Sequence, residues 1–162
     1  MSYCRRSILG VLALGLTFAA SAHAQTKTEA PPESIKPCVS KADQGSRPKV
    51  VFQINRADDA PAILRFVTNY LKSEPEAEVT VVSYSTGIDF LLKNANDAEG
   101  KPYAVQVNRL LDMGVAFKVC NNTLKARNAS ADVLLANVGV VPSAVNEIVR
   151  LQTKEGYSYF RH

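Results

Sequence analysis

Residues 49–71, KVVFQINRADDAPAILRFVTNYL, place a β-branched and aromatic run, Lys49-Val50-Val51-Phe52-Gln53-Ile54, directly before a helical pattern. From Ala60 to Leu71 the side chains Ile63, Phe66, Val67 and Tyr70 recur at the spacing of one helix face. Asp58-Asp59-Ala60-Pro61 puts acidic groups where the positive end of a helix begins. The stretch predicts a strand followed by a helix, and the chain beyond it repeats the theme.

A second strand is expected over Glu78 to Tyr84, then a short helix through Gly87 to Leu92 and a longer one over Pro102 to Met113, carrying Val105, Leu110 and Leu111 and ended by Gly114. Val115 to Val119 reads as a third strand that runs straight into Cys120-Asn121-Asn122-Thr123. Leu124 to Leu135 has helical spacing with a break around Asn128, and Val138 to Val141 forms a short fourth strand. Ser143 caps a helix over Ala144 to Lys154, with Val145, Ile148, Val149 and Leu151 expected on its buried side. Gly156 stops that helix before a last strand, Tyr157 to Phe160. Strands alternating with helices in this order predict an α/β fold, a largely parallel sheet covered by helices on both faces.

In such sheets ligands meet the chain at the carboxyl ends of the strands, where loops and helix N-termini gather. That edge collects Asn55-Arg56, Ser85-Thr86-Gly87, Cys120 to Thr123 and Pro142-Ser143. Cys120 is its one strong nucleophile. A thiol at a strand end and helix start feels unpaired backbone N–H groups and the positive end of the helix dipole, both favouring thiolate, and Lys125 and Arg127 add positive charge nearby. Asn55, Ser85, Asn121 and Thr123 are the candidate binding residues around it. Asn121 and Thr123 are also expected to cap the helix. The competing reading is that Cys120 is a small buried hydrophobe, a common fate of free cysteine.

The segment Val115-Ala116-Phe117-Lys118-Val119-Cys120-Asn121-Asn122-Thr123-Leu124-Lys125-Ala126-Arg127 resembles the cysteine segment of the DsrE/DsrF-like proteins. The opening strand, Tyr84-Ser85-Thr86-Gly87-Ile88 leading to Leu91-Leu92, and Val141-Pro142-Ser143-Ala144-Val145 through to Tyr157-Ser158-Tyr159-Phe160 are similar to that family's layout. The resemblance implies a three-layer αβα fold with a mostly parallel five-stranded sheet, frequently assembled into homo-oligomers. In the sulfur-relay members it implies a cysteine at this strand end that accepts sulfur as a persulfide, and Cys120 is the matching residue. Two function classes follow: a thiol-based sulfur carrier or redox protein acting through Cys120, with a sulfur donor or acceptor protein or small sulfur compound as partner, or a non-enzymatic oligomeric binding module in which Cys120 is packing. Any activity is at most sulfur carriage or thiol exchange, and no cofactor is implied.

Other chemistries lack their parts. Asn55-Arg56-Ala57-Asp58-Asp59 stands where a phosphate loop would be but has none of the glycines that bring backbone close to a pyrophosphate. Asp58 and Asp59 read as helix-capping residues rather than an acid/base pair. Asn121-Asn122-Thr123 and Asn128-Ala129-Ser130 match the glycosylation pattern, a short match frequent by chance.

Toward the N-terminus, Arg5-Arg6, the uncharged run Ile8 to Ala20 and Ala22-His23-Ala24 form the pattern of a cleavable signal peptide over residues 1–24, cut after Ala24. The apolar run falls short of the roughly 20 residues that span a membrane. The expectation is a periplasmic or secreted protein with no membrane association after cleavage. Removing the signal takes two arginines and no acidic residue, so the net charge falls from +4 to +2. No basic run with interleaved aromatics remains, which argues against nucleic acid. Cys4 and His23 also leave; His162 remains as the last histidine, so neither a Ser-His-Asp triad nor a histidine-based metal site can be assembled. Residues 25–47, with three prolines and no apolar periodicity, read as a flexible linker before a domain over 48–162. Cys38 lies in that linker, either as an exposed thiol or as the partner of Cys120 in a disulfide.

Overall fold

The computed structural model describes residues 47–161; residues 1–46, and with them the expected signal peptide, Cys38 and nearly all of the linker, lie outside the described residues. Five strands, β1 (Lys49–Ile54), β2 (Glu78–Ser83), β3 (Ala116–Cys120), β4 (Gly139–Val141) and β5 (Ser158–Arg161), form one sheet in the order β4-β3-β2-β1-β5. Every pairing is parallel. Among the described residues four α-helices connect them: α1 (Ala60–Ser73), α2 (Tyr103–Asp112), α3 (Asn121–Ala126) and α4 (Ala144–Glu155).

The order follows from the handedness of β-α-β connections. Steps β1 to β2 to β3 to β4 move outward on one face, and the return from β4 to β5 must cross the other. The alternation along each strand divides the core accordingly. Val50, Phe52, Ile54, Val79, Val81, Phe117 and Val119 pack with α1, α2 and Leu124 on one face, whereas Val51, Val82 and Cys120 pack with Ala144, Ile148 and Leu151 of α4 on the other. The result is three layers, αβα. Aromatic edges tighten the larger core: Phe90 meets Phe117 with ring centroids 6.1 Å apart, and Phe160 of the edge strand β5 meets Phe52 at 5.1 Å.

Several elements differ from expectation. The helical spacing of Leu124 to Leu135 yields only the six-residue α3, because Asn128 turns into the left-handed region at φ 50° and a 3-10 turn, Ala131–Val133, follows. Leu134 and Leu135 are buried from an extended loop instead: Leu134 bridges Leu92, and the Leu135 N–H donates to the Leu91 carbonyl at 2.9 Å. The short helix after β2 is a 3-10 segment, Ser85–Leu91. On α4, Ile148 and Leu151 are buried, but Val145 and Val149 face solvent, as does Val105 on α2. Asp58 and Asp59 do not cap α1 through their side chains; Asp59 is the N-cap residue without a side-chain capping bond, and Asp58 pairs with Arg56 at 3.5 Å.

The 3-10 segment is pressed onto the end of β1. Tyr84 donates its N–H to the Ile54 carbonyl at 3.1 Å, and the Thr86 hydroxyl donates to the Asn55 carbonyl at 3.3 Å. At Gly87 the approach is so close that a Cβ would stand 2.6 Å from the Ile54 oxygen and 2.8 Å from Asn55 Cα. Gly87→Ala is therefore expected to lower stability by about 1–3 kcal/mol, read as a shifted denaturant midpoint.

The α4 face is polar for a parallel sheet. Lys118 of β3 reaches Glu147 with Nζ 2.5 Å from Oε1, and Arg150 donates to both carboxylate oxygens at 2.8 Å. The Arg150 hydrogen bonds, opposed by burial and aided by Lys118, hold the Glu147 carboxyl down at about 2, against an ordinary value of 4.5. A depressed folded-state value stabilises the fold above the unfolded value and is lost as pH falls toward the folded one. Acid unfolding should accordingly steepen between about pH 4.5 and 2. Glu147→Gln should flatten that limb and lower stability at neutral pH, measured by denaturant titrations across the range.

Candidate functional site

Cys120 closes β3 and is itself the N-cap residue of α3. The chain leaves β3 toward one face of the sheet and leaves the neighbouring β4 toward the other, so a crevice opens between their carboxyl ends. Cys120 pairs in register with Val141 at that crevice. From β4 the chain turns through Ser143, whose hydroxyl accepts from the Asn146 N–H at 3.5 Å and caps α4. The first N–H groups of α4 are thereby brought against the end of β3, and Ala144 donates its N–H to Cys120 Sγ at 3.4 Å.

Cys120 is 6% exposed and lines a depression of about 480 Å³. Burial pushes its titration up. The backbone N–H groups of Ala144, Thr123 and Asn122 and the Thr123 hydroxyl act against that, and together they hold the thiol below its usual value. The donors come from two helix starts, α3 after β3 and α4 after β4. Of the two basic residues expected to add charge, Arg127 lines the same depression, where it is engaged by Asp89 and donates through Nη2 to the Ser85 carbonyl at 2.9 Å.

Ser85 and Thr123 line the depression, with Tyr84, Thr86, Asn122, Arg127, Ser143 and Val145 around them. The Thr123 hydroxyl accepts from the Ser85 N–H at 3.0 Å, which leaves its own proton for the sulfur. Ser85 has a φ of 55°, the left-handed region, and both its backbone polar groups are held from α3 and the residue after it. Asn55 and Asn121 are not among the lining residues. Asn55 contributes its carbonyl to Thr86 below the 3-10 segment, and Asn121 opens α3 as a helical residue rather than its cap. Ala144 is the contributor that the cysteine segment by itself does not reveal; its signal is Pro142-Ser143, a helix start on the strand that becomes the neighbour of β3. Among the described residues no group of His, Cys, Asp and Glu is arranged to hold a metal ion, and no helix is long and apolar enough to cross a membrane.

The sequence model of the DsrE/DsrF-like family matches residues 38–161. Among solved structures, MTH1491, a protein of unknown function from Methanobacterium thermoautotrophicum, is 34% identical, with 71% of this chain and 99% of that one covered and a TM-score of 0.64. The ychN protein from E. coli shares the fold at 18% identity, with 70% and 99% covered and a TM-score of 0.58. No curated protein matches the sequence.

Because the Thr123 hydroxyl both donates to sulfur and accepts from Ser85, its removal should raise the titration midpoint of Cys120, whereas Thr123→Ser should preserve it. Alkylation rates of Thr123→Val and Thr123→Ser across pH provide the measurement.

Proposed function

The chain belongs to the DsrE/DsrF-like family, which is associated with sulfur relay, and from that premise we propose that it is a thiol-based sulfur carrier in which Cys120 receives a sulfane sulfur. The observation that carries the reading is the convergence on Sγ of N–H groups from two helix starts together with the Thr123 hydroxyl. Such donors stabilise negative sulfur, and the thiolate is the nucleophile in sulfur exchange. The Cys120 thiolate attacks the terminal sulfur of a donor persulfide, R–S–SH. A new S–S bond forms on Cys120, the donor S–S bond breaks, and R–S⁻ departs with the electron pair. The resulting Cys120 persulfide keeps its terminal sulfur for an acceptor.

The reading includes export to the periplasm or beyond, assembly into homo-oligomers, and partners that are sulfur donors or acceptors. In its redox form the Cys120 thiolate attacks a partner disulfide, R–S–S–R′, and releases R–S⁻; the Cys38 thiolate then attacks the Cys120 sulfur of the mixed disulfide and releases R′–S⁻, leaving a Cys38–Cys120 disulfide and a reduced partner. A second reading rests on a different observation: Cys120 packs with Val51, Val82, Ala144, Ile148 and Leu151 in the smaller core, as a small hydrophobe would. In that case the protein is a non-enzymatic oligomeric binding module.

Alkylation of a Cys38→Ser variant across pH, read by intact mass, separates the two. The sulfur-carrier reading expects labelling of native protein with a midpoint below the free-thiol value of about 8.5, and the gain of one sulfur on exposure to polysulfide. A Cys120 that is labelled only after denaturation would establish the packing role.

A further inference from the structure

A second cavity, of about 970 Å³, lies beneath the loop of residues 92–102 on the α2 side of the sheet. It shares Arg127 with the Cys120 depression but none of that site's other lining residues. Its floor is Ile88, Phe90 and Leu124, all essentially buried, and Tyr103 stands over Phe90 with ring centroids 6.0 Å apart. The covering loop is built rather than draped. Asp97 Oδ1 accepts the N–H groups of Glu99 and Lys101 at 2.9 and 2.8 Å, Asn96 bridges Pro102, and Leu92 bridges Leu134.

The polar groups of the lining determine the class of occupant. Each lining carboxylate is already engaged: Asp58 by Arg56, Asp89 by Arg127 and Asp132 by the Ser130 hydroxyl. Arg127 is neutralised by its own pair, and Lys93 is exposed. A charged ligand would therefore lose solvation with little to replace it. Tyr103, whose ring stands against Phe90, is half-buried, and its hydroxyl makes no hydrogen bond among the described residues; the lining's other neutral side-chain donors, Asn94 and Asn96, are exposed. Burial, with Asp97 and Asp58 nearby, raises its pKa, so it remains a donor. We propose that this cavity binds a neutral, largely apolar small molecule with a hydrogen-bond acceptor, its body on Ile88, Phe90 and Leu124 and its acceptor at the Tyr103 hydroxyl. The volume lies within the range of sites that enclose such ligands. The assignment is independent of what Cys120 does.

Prodan, a neutral naphthalene ketone whose emission shifts to the blue in apolar surroundings, is a suitable probe. Titrated into the full-length protein, it should bind saturably at one site per chain with blue-shifted emission, and anilinonaphthalene sulfonate, an anion of similar size, should bind more weakly. Ala129→Trp, which fills the cavity from its wall, should abolish binding, and Ala98→Trp, placed on the exposed rim, serves where the first variant melts early. Tyr103→Phe should weaken binding by about fivefold, the effect of one hydrogen bond. Binding that persists in both tryptophan variants, tighter binding of the sulfonate, or no effect of Tyr103→Phe would overturn the proposal. So would exclusion of prodan from a self-associated protein that Ala129→Trp dissociates, since a second copy would then be what covers the cavity.

Discussion

Glu147 lies one turn into α4, with its carboxylate turned toward the sheet and gripped by Lys118 from below and Arg150 from its own helix. A parallel sheet ordinarily offers apolar residues to the helices on both faces. Here the α4 face includes Gln53, Thr80 and Lys118, and among the described residues a single helix covers it. Polar groups can be covered in this way only where they are paired: Gln53 is held by the Tyr84 and Tyr159 hydroxyls, and the Glu147 cluster supplies the pairing for Lys118. It also sets a register. Lys118 and Cys120 point to the same face two residues apart on β3, roughly 6.6 Å along the strand. Glu147 and Ala144 are three residues apart on α4, about 4.5 Å along its axis. With Glu147 fixed over Lys118, the start of α4 falls over Cys120, and the Ala144 N–H meets the sulfur.

That register explains how one thiol can belong to the core and still carry chemistry. As a space-filling group beside Val51 and Val82, Cys120 could be replaced by an apolar side chain of similar size. An apolar side chain, however, would leave the Ala144 N–H facing carbon, and an unpaired buried donor costs about 1–3 kcal/mol. Sulfur satisfies it weakly as a thiol and strongly as an anion. The site therefore favours the anion through fixed backbone dipoles rather than mobile side chains. The groups that lower the thiol most are backbone N–H groups and the Thr123 hydroxyl, while Arg127 is committed to Asp89 and to the Ser85 carbonyl.

The sheet was legible because its strands are short β-branched runs separated by helical spacing, and both signals are local. Lys49–Ile54 and Glu78–Ser83 appear almost residue for residue where the pattern puts them. Failures arose where burial came from loop conformation. Leu134 and Leu135 sit at helical spacing from Leu124, yet they reach the core through a left-handed turn at Asn128 and a bridge to Leu92, a partner more than forty residues away. Val145 and Val149 share a stripe that reads as the inner face of α4, but the helix is rotated so that Glu147 faces inward. A buried carboxylate partnered by a lysine on a distant strand has no signature in hydrophobic periodicity. The same holds for the site. Cys120 and Thr123 could be picked out as strand-end residues, whereas the Ala144 N–H depends on strand order, which places β4 next to β3.

The wall between the two cavities shows how closely the edge is tied together. Gly87 must lie flat on Ile54 and Asn55, so the chain leaving β2 has to turn immediately, and Ser85 takes the left-handed conformation to do so. For a residue other than glycine that conformation costs on the order of 1–3 kcal/mol, and it persists only if the surroundings hold it. They hold it at both backbone groups: the N–H donates to the Thr123 hydroxyl and the carbonyl accepts from Arg127. Thr123 is the residue that serves the sulfur, and Arg127 is the residue that lines both cavities. The turn that lets the 3-10 segment pack on β1 is thus stabilised by side chains that also shape the thiol's surroundings, so the packing of the sheet edge and the electrostatics of Cys120 are parts of one arrangement.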